Sequence, residues 1–190
     1  MAMIIREETG DALSEYGRVS IAFKVATQLR VELVDRGLGG LRLIEESVES
    51  AYMVDFDQPD DGPANWGQRW DISNWGILSA FDGTQRGGGA TVAWRTQGVH
   101  MLEGRDDLAV LWDLRVDPAC RRRGVGARLF AEAVVWAQRR NCRWLKVETQ
   151  NTNVAACRFY AAQGCELRGV HIGAYQDSPE EVQLLWYLRL

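Results

Sequence analysis

The chain has 190 residues, of which 46% are hydrophobic and 25% charged, and its formal net charge is −4. This composition is typical of a folded globular domain and excludes a mainly disordered chain, and the acidic balance disfavours a nucleic-acid binder, since such domains are usually basic. No apolar run approaches the roughly 20 residues that span a bilayer, and no signal peptide is recognisable. We expect a single cytoplasmic domain over residues 1–190 that binds neither membrane nor nucleic acid, with a homodimer left open.

The first part of the chain is predicted to be mostly strand. Apolar or β-branched residues occupy every second position from Ile21 to Leu33, which predicts a long strand, although a subset at spacing four also fits a helix. Leu41–Val48 fits either a second strand or a short helix. The segment Asp57–Asp71 is predicted to be irregular, because it combines turn formers with acids and tryptophans.

The middle of the chain predicts a hairpin followed by a buried strand. Asn74–Phe81 and Gly89–Thr96 have strand patterns, and the sequence DGTQRGG between them predicts a longer hairpin loop. Leu108–Val116 is apolar nearly throughout, as expected of a strand buried on both faces. Asp117 and Pro118 are expected to end this strand.

The last part of the chain alternates helices and strands. Gly124–Arg140 predicts a helix with one apolar face, and Cys142–Thr149 predicts a strand. Asn153 is a favourable N-cap for a helix over Val154–Gln163, and Gly164 is a natural terminator. Two final strands are predicted over Cys165–Ile172 and Val182–Leu190. The apolar face of the helix Gly124–Arg140 consists of Val125, Leu129, Phe130, Ala133, Trp136 and Ala137. These elements predict an α/β or α+β domain with a mixed sheet.

Cysteines and histidines give no sign of a metal site. The chain has four cysteines, none in a C-x-x-C pair, and two histidines, so the spacing of zinc ligands is absent. We expect four reduced cysteines and no metal cofactor. The histidines are expected to be surface or structural residues.

The sequence RRRGVG joins the buried strand to the helix that follows it. Glycine lets backbone N–H groups approach an anion closely, and the first turn of a helix has unpaired N–H groups and a partly positive end. Such a strand–turn–helix is suited to a pyrophosphate. The spacing is neither a Walker A loop nor the dinucleotide motif G-x-G-x-x-G. On these residues alone, the alternative is that the glycines only serve the turn and the arginines are only solvated.

Two segments, in order, resemble the GNAT superfamily of N-acetyltransferases. The first, RRRGVGARLF, matches the family's Arg/Gln-x-x-Gly-x-Gly/Ala motif at the start of a long helix, and the second, VETQNTNVAACRFYAAQGC, has the Asn-capped helix with a tyrosine. The second segment is similar to streptothricin acetyltransferases and to enzymes that acetylate protein N-termini. The resemblance implies a GNAT-like acyl-CoA N-acyltransferase fold, with a central mixed, mostly antiparallel sheet and helices on both faces.

The resemblance also implies how acetyl-CoA would bind as cosubstrate. In the family, two central strands splay apart and acetyl-CoA lies in the gap. The backbone of the strand Leu111–Val116, which includes Leu114, Arg115 and Val116, would pair with the pantetheine arm, and the N–H of Leu114 would polarise the thioester carbonyl. Asn153 would reach the pantetheine, cap its own helix, or do both. The residues implied around the pyrophosphate are Arg121, Arg122, Arg123, Gly124, Val125, Gly126 and Ala127.

Acetyl transfer requires a base for the attacking amine and a proton donor for the departing thiolate. The resemblance implies Tyr160 as the donor, near the CoA sulfur, and the alternative is a core tyrosine with its hydroxyl at the edge. Glu148, at a strand end, is the first candidate for the base, and the alternative is a solvated or ion-paired carboxylate. Asp113 is the second candidate, because it interrupts an apolar strand and must be paired or face a cleft. Its alternative is a structural hydrogen bond.

The amine acceptor is expected to meet acids and aromatic rings in the segments Asp55–Trp75 and Gly173–Glu181. Such groups suit a cationic amine, although acidic loops are often only solvated. The family's two helices after the first strand are not evident, since Leu13–Val48 is strand-like. We expect an N-acetyltransferase for a primary amine such as streptothricin; the alternatives are a peptide N-terminal acetyltransferase and a CoA-binding sensor without turnover. The acids and rings are Asp55, Asp57, Asp60, Asp61, Asp71, Asp177, Glu180, Glu181, Trp66, Trp70, Trp75 and Tyr175.

Overall fold

A computed structural model describes residues 3–57 and 61–190 of the chain. The described residues form two compact units. The first unit comprises those within Met1–Ala22, Asp55–Val147 and Leu188–Leu190, and the second comprises Phe23–Val54 and Glu148–Tyr187. The assignment of residues 1–190 to one domain stays a prediction.

The described part of the chain contains nine strands and four α-helices. The strands are β1 (Ile4–Glu8), β2 (Phe23–Leu33), β3 (Leu41–Val54), β4 (Gly76–Asp82), β5 (Gln85–Ala93), β6 (Leu108–Val116), β7 (Trp144–Gln150), β8 (Glu166–Ile172) and β9 (Val182–Arg189). The helices are α1 (Leu13–Tyr16), α2 (Trp66–Arg69), α3 (Val125–Gln138) and α4 (Val154–Ala162).

The first unit is built on a mixed, mostly antiparallel sheet, as predicted. β4 pairs antiparallel with both β1 and β5, β5 pairs antiparallel with β6, and β6 pairs parallel with β7. Helix α3 packs against β4, β5 and β6. The apolar face predicted for this helix is confirmed, because the residues buried in it are Val125, Leu129, Phe130, Ala133, Trp136 and Ala137.

The second unit contains two antiparallel strand pairs, helix α4 and the end of β7. β2 pairs with β3, and β8 pairs with β9. The long strand predicted over Ile21–Leu33 is confirmed as β2, and its helical alternative is wrong. Leu41–Val48 is the first part of strand β3, so the short helix considered there is also wrong. The N-cap of α4 is confirmed, since the side chain of Asn153 accepts a hydrogen bond from the Ala156 N–H at 3.1 Å.

The predicted longer loop between β4 and β5 is wrong. Only Gly83 and Thr84 separate the two strands, and the glycines that suggested a loop belong to β5. A Cβ on Gly89 would collide with the ring of Tyr16, and one on Gly88 would lie 2.7 Å from the carbonyl oxygen of Arg115. These glycines therefore permit close packing across the sheet instead of forming a turn.

Two short elements near the N-terminus were not predicted from the sequence. Strand β1 pairs with β4, and α1 contributes Leu13 and Tyr16 to the core. Helix α2 lies inside the segment Asp57–Asp71 that was predicted to be irregular. Each of these elements has only four or five residues, too few to establish a period in the sequence.

Candidate functional site

Strand β6 has a backbone edge that continues beyond its pairing with β7. Among the described residues, the parallel pairing joins Leu108–Val110 to Trp144–Lys146, whereas the pairing of β5 with β6 continues as far as Val116. The segment from Leu111 to Val116 therefore has a strand partner on the β5 side after the pairing with β7 has ended. An open strand edge of this kind can hydrogen-bond an extended ligand through its backbone, and it includes Leu114, Arg115 and Val116.

The RRRGVG sequence forms the turn that leads from β6 into α3. Arg122 has φ of 57° and Gly124 has φ of 79°, so both occupy the left-handed region. Gly124 is the N-cap of α3, and it has no side chain to cap the helix. The Arg128 N–H donates a hydrogen bond to the carbonyl oxygen of Gly124, which is the first hydrogen bond of the helix. The N–H groups of the first turn, which include Val125, Gly126 and Ala127, thus lack intrahelical acceptors.

The three arginines of this turn have different surroundings. Arg121 donates to the carbonyl oxygens of Val116 and Ala22 at 3.0 and 3.2 Å, which braces the turn against the end of β6. Arg122 is exposed. Arg123 lies 3.9 Å from Asp82, and both side chains are well exposed, so this ion pair contributes little. The turn therefore offers backbone donors, a helix N-terminus and exposed positive charge to an anion, and these groups fit a pyrophosphate.

Asp113 is part of a buried ion-pair network within the first unit. Its carboxylate accepts two hydrogen bonds from Arg115, at 2.9 and 2.7 Å, and a third from the hydroxyl of Tyr16. Arg115 is buried and also donates to Asp57 at 2.7 and 3.1 Å. Three of about four acceptor positions of the Asp113 carboxylate are therefore in use. These contacts favour the structural role that the sequence left open for Asp113.

Glu148 lies in the second unit, at the end of β7, and is partly buried. Its two carboxylate oxygens accept hydrogen bonds from the Tyr175 hydroxyl at 2.7 Å and from the Gln183 amide at 2.8 Å. Among the described residues, these two hydrogen bonds use half of the four or so acceptor positions of the carboxylate. Glu148 is therefore held in one orientation, and its role as the base stays a prediction.

Tyr160 lies on helix α4 of the second unit. The residue is 6% exposed, and its ring lies edge-on to the ring of Phe159 with the ring centroids 5.1 Å apart. The Asn153 side chain caps the same helix. Tyr160 therefore packs as a core residue, and its proton-donor role stays a prediction.

The segments where the amine acceptor is expected, Asp55–Trp75 and Gly173–Glu181, are called the expected acceptor wall, and the tryptophans of the first segment form a packed cluster in the first unit. Trp66, Trp70 and Trp75 meet Trp112 with ring centroids 4.9 to 6.4 Å apart. Trp66 and Trp75 are nearly fully buried, whereas Trp70 and Trp112 are partly buried. Most of this aromatic surface thus belongs to the core.

The acids of the expected acceptor wall differ in how they are bound. Asp57 is bound to Arg115, Asp61 pairs with Arg69 at 2.5 Å, and Asp71 accepts from the Ser73 N–H at 3.0 Å. Asp60 lies outside the described residues. In the second unit, burial and the charge of Glu180 raise the pKa of Glu181, so these two neighbouring acids act on each other.

The remaining predicted features concern thiols, metals and membranes. All four cysteines are free and buried, and burial raises the pKa of Cys142 and of Cys165 to about 11, which makes them poor nucleophiles. Within residues 3–57 and 61–190, no group of three His, Cys, Asp or Glu side chains could hold a metal ion. In the same residues, no helix has the length and apolar character needed to cross a membrane.

Comparison with known proteins identifies the family. Residues 43–165 match the model of the acetyltransferase (GNAT) family. Streptothricin acetyltransferase A of Bacillus subtilis is 32% identical over 83 residues, which are 43% of this chain and 48% of that protein. A streptothricin acetyltransferase of Escherichia coli is 34% identical over 85 residues, 43% of this chain and 49% of that protein. The chain thus spans about half the length of the curated relatives that it matches.

Solved structures support the same assignment over the whole chain. A candidate streptothricin acetyltransferase of Bacillus anthracis, in complex with acetyl coenzyme A, has a TM-score of 0.76 and 26% identity, with 100% of this chain and 98% of that chain covered. Nourseothricin acetyltransferase also has a TM-score of 0.76, with 21% identity and 100% and 99% covered, a likeness of fold. By its family match and its fold, the chain belongs to the GNAT family of acetyltransferases.

Proposed function

We propose that this protein transfers the acetyl group of acetyl-CoA to a primary amine by direct attack, and that the amine belongs to an antibiotic of the streptothricin type. The observation that carries the proposal is the turn from β6 into α3. There, the left-handed Arg122 and Gly124 lead into a first helical turn without a side-chain cap. A GNAT relative with the same fold was solved with acetyl-CoA.

The proposed binding of acetyl-CoA uses backbone groups more than side chains. The N–H groups of Arg122 to Ala127 would hold the pyrophosphate, with Arg121 bracing the turn and Arg123 supplying charge. The open edge of β6 would bind pantetheine, and the N–H of Leu114 would stabilise the charge that develops on the thioester oxygen. Asn153 would serve mainly as the cap of α4, where its side chain is already bound.

The proposed chemistry assigns one proton transfer to each of two residues. An amine must be neutral to attack, so Glu148 would accept its proton directly or through a water. Tyr160 would donate a hydrogen bond or a proton to the departing sulfur. We assign Asp113 to the ion pair with Arg115, because its lone pairs are largely occupied.

The streptothricin class is supported by the relatives and by the charge of the chain. Both curated relatives are streptothricin acetyltransferases, and the net charge of −4 favours encounter with a cationic amine. The test is to measure acetyl-CoA affinity by calorimetry and free-thiol release with streptothricin, polyamines and N-terminal peptides. We expect thiol release with streptothricin above the other amines.

Other outcomes of this experiment would point to other functions. Thiol release with peptides alone would indicate an N-terminal acetyltransferase. Acetyl-CoA binding without release on any amine would indicate a CoA-binding sensor. No binding of acetyl-CoA would contradict the proposed function altogether.

Gly124→Val is expected to weaken acetyl-CoA binding about 10-fold, because a β-branched residue in the left-handed region costs about 1–2 kcal/mol and distorts the anion site. Gly126→Val is expected to weaken binding similarly by covering the first-turn N–H groups. Arg122→Ala removes only an exposed charge and should weaken binding less than about 3-fold. Calorimetric titration with acetyl-CoA measures all three variants.

Gly104→Val is the matched control for Gly124→Val. Gly104 has φ of 65°, and, as at Gly124, no atom lies within 4 Å of an added Cβ. The same strain is thus created outside the β6–α3 turn, and acetyl-CoA affinity should not change. A larger loss for Arg122→Ala than for Gly124→Val would show that side-chain charge, and not the backbone, provides most of the affinity.

Tyr160→Phe is expected to lower kcat about 10- to 100-fold, since a single proton donor to the leaving group is lost. The ring stays, so packing against Phe159 and acetyl-CoA affinity should be unchanged. Thiol-release rates and a calorimetric Kd measure the two effects separately. Phe159→Leu is the control for altered packing on α4. Unchanged turnover in Tyr160→Phe would remove this residue from the donor role.

A further inference from the structure

Glu148 lies at the centre of a chain of hydrogen bonds within the second unit. The Tyr175 hydroxyl donates to Oε1 at 2.7 Å, and the Gln183 amide donates to Oε2 at 2.8 Å. We propose that Tyr175 and Gln183 are positioning residues for Glu148, which hold its carboxylate in one orientation. This inference rests on the proposed function, in which Glu148 is the base.

The two donors are themselves held by side chains of the same unit. The Gln150 amide donates to the Tyr175 oxygen at 3.2 Å. Nδ1 of His171 lies 2.8 Å from Oε1 of Gln183, across the register of β8 and β9. Because Oε1 is engaged by His171, the nitrogen of the Gln183 amide faces Glu148. The chain from His171 to Gln150 therefore fixes both donors before a substrate binds.

Tyr175 is suited to donate at every working pH. Burial raises the pKa of its hydroxyl, and the hydrogen bond to Glu148 raises it further. A tyrosine that stays protonated supplies a constant donor and is a poor proton-transfer group. Its role is therefore to orient Glu148, whereas proton transfer is left to the carboxylate.

The charged and titratable groups near Glu148 come from several elements. The loop before β9 contributes Tyr175 and Glu181, and Glu181 adds negative charge that also raises the pKa of Tyr175. β8 contributes His171, which reaches Glu148 through Gln183. On β7 itself, Lys146 is bound to Glu103 at 2.7 Å. Among the described residues, the direct hydrogen bonds to the Glu148 carboxylate thus come from two neutral donors, Tyr175 and Gln183.

The direction of the effect on the pH profile follows from these contacts. Hydrogen bonds donated to a carboxylate favour its ionised form and lower its pKa. Tyr175→Phe removes one of these hydrogen bonds, so we expect less of the carboxylate base to be available at acidic pH. We expect the acid limb of kcat/KM to move upward by about one pH unit, since a hydrogen bond to a charged group is of that order.

The experiment combines two readouts on the full chain. The protein is labelled with 13C in the carboxyl groups of its glutamates and titrated by NMR. The signal of Glu148 is assigned as the one missing from the spectrum of Glu148→Gln. The same proteins are assayed for thiol release between about pH 5 and 9, the range that includes the acid limb. We expect Tyr175→Phe to shift the NMR titration and the acid limb together, with acetyl-CoA affinity unchanged. Gln183→Leu, which also removes a donor, should shift both in the same direction.

Tyr52→Phe is the matched control, because it removes a tyrosine hydroxyl from the same unit. Within the described residues, that hydroxyl is not a donor to Glu148; burial and the charges of Glu181 and Glu180 raise its pKa. Neither the Glu148 titration nor the acid limb should move in this variant.

Each remaining outcome overturns one claim. An unchanged Glu148 titration in Tyr175→Phe would overturn the positioning role, and so would a shifted titration with an unmoved acid limb. In both cases continued turnover would leave the proposed function intact. Absence of turnover on any amine in the unmodified protein would instead contradict the proposed function, and the NMR titration would still decide whether Tyr175 and Gln183 control the carboxylate.

Discussion

Glu148→Gln is expected to lower kcat about 100- to 1000-fold while the Kd for acetyl-CoA stays the same, since a general base contributes about that factor. The glutamine has nearly the same shape, but its NH2 group cannot accept a hydrogen bond, so only one of the contacts from Tyr175 and Gln183 can be kept. A neutral amide cannot accept the proton of the attacking amine. The effect should therefore appear in the rate of thiol release and not in binding.

The control for Glu148→Gln is the same change at Glu166. Glu166 is an exposed carboxylate of the second unit, paired with Arg168 at 2.6 Å, and its neutralisation should leave turnover unchanged. Asp113→Asn tests the rival base. Near-normal turnover in Glu148→Gln, with turnover lost in a folded Asp113→Asn protein, would transfer the role of base to Asp113.

Arg115→Met is expected to lower the free energy of unfolding by about 3–5 kcal/mol, because it leaves Asp113 and Asp57 without their partner. Burial lowers the pKa of Arg115, but its hydrogen bonds to these carboxylates outweigh burial and raise it. The guanidinium is therefore always charged, and its loss leaves the nearly fully buried carboxylate of Asp113 without a compensating positive charge. Urea unfolding followed by fluorescence of the tryptophan cluster measures the change.

Arg123→Met is the control for Arg115→Met. Arg123 also pairs with an aspartate, Asp82, but at 3.9 Å and with both side chains well exposed. Its replacement should change the free energy of unfolding by less than about 0.5 kcal/mol. Equal effects of the two substitutions would show that burial of the Asp113–Arg115 pair does not control stability.

Local signals made much of the fold predictable. The apolar period of α3 depends on neighbouring residues of one helix, and the continuous apolar run of β6 reflects burial on both faces. The glycines of β5 led to the wrong prediction of a long loop between β4 and β5. Gly89 is required because a Cβ there would collide with Tyr16, which is far away in the sequence. A glycine that permits packing and one that forms a turn look the same in a sequence.

The candidate site was predictable to the same extent. The β6–α3 turn and the Asn153 cap depend on a few consecutive residues, so their spacing identified them. Because Asp113 interrupts an apolar strand, the sequence predicted that its carboxylate has a hydrogen-bond partner or faces a cleft. It did not identify Tyr16 and Arg115 as the partners. Tyr175 was expected on the acceptor wall and Gln183 was not singled out, because only the folded chain brings them to Glu148.

The most direct test of acetyl transfer is the rate of free-thiol release from acetyl-CoA with streptothricin, compared between the unmodified protein and Glu148→Gln. We predict release that requires both substrates and falls about 100- to 1000-fold in the variant at equal acetyl-CoA occupancy. Release that is independent of the amine, or absent although acetyl-CoA is bound, would contradict the account.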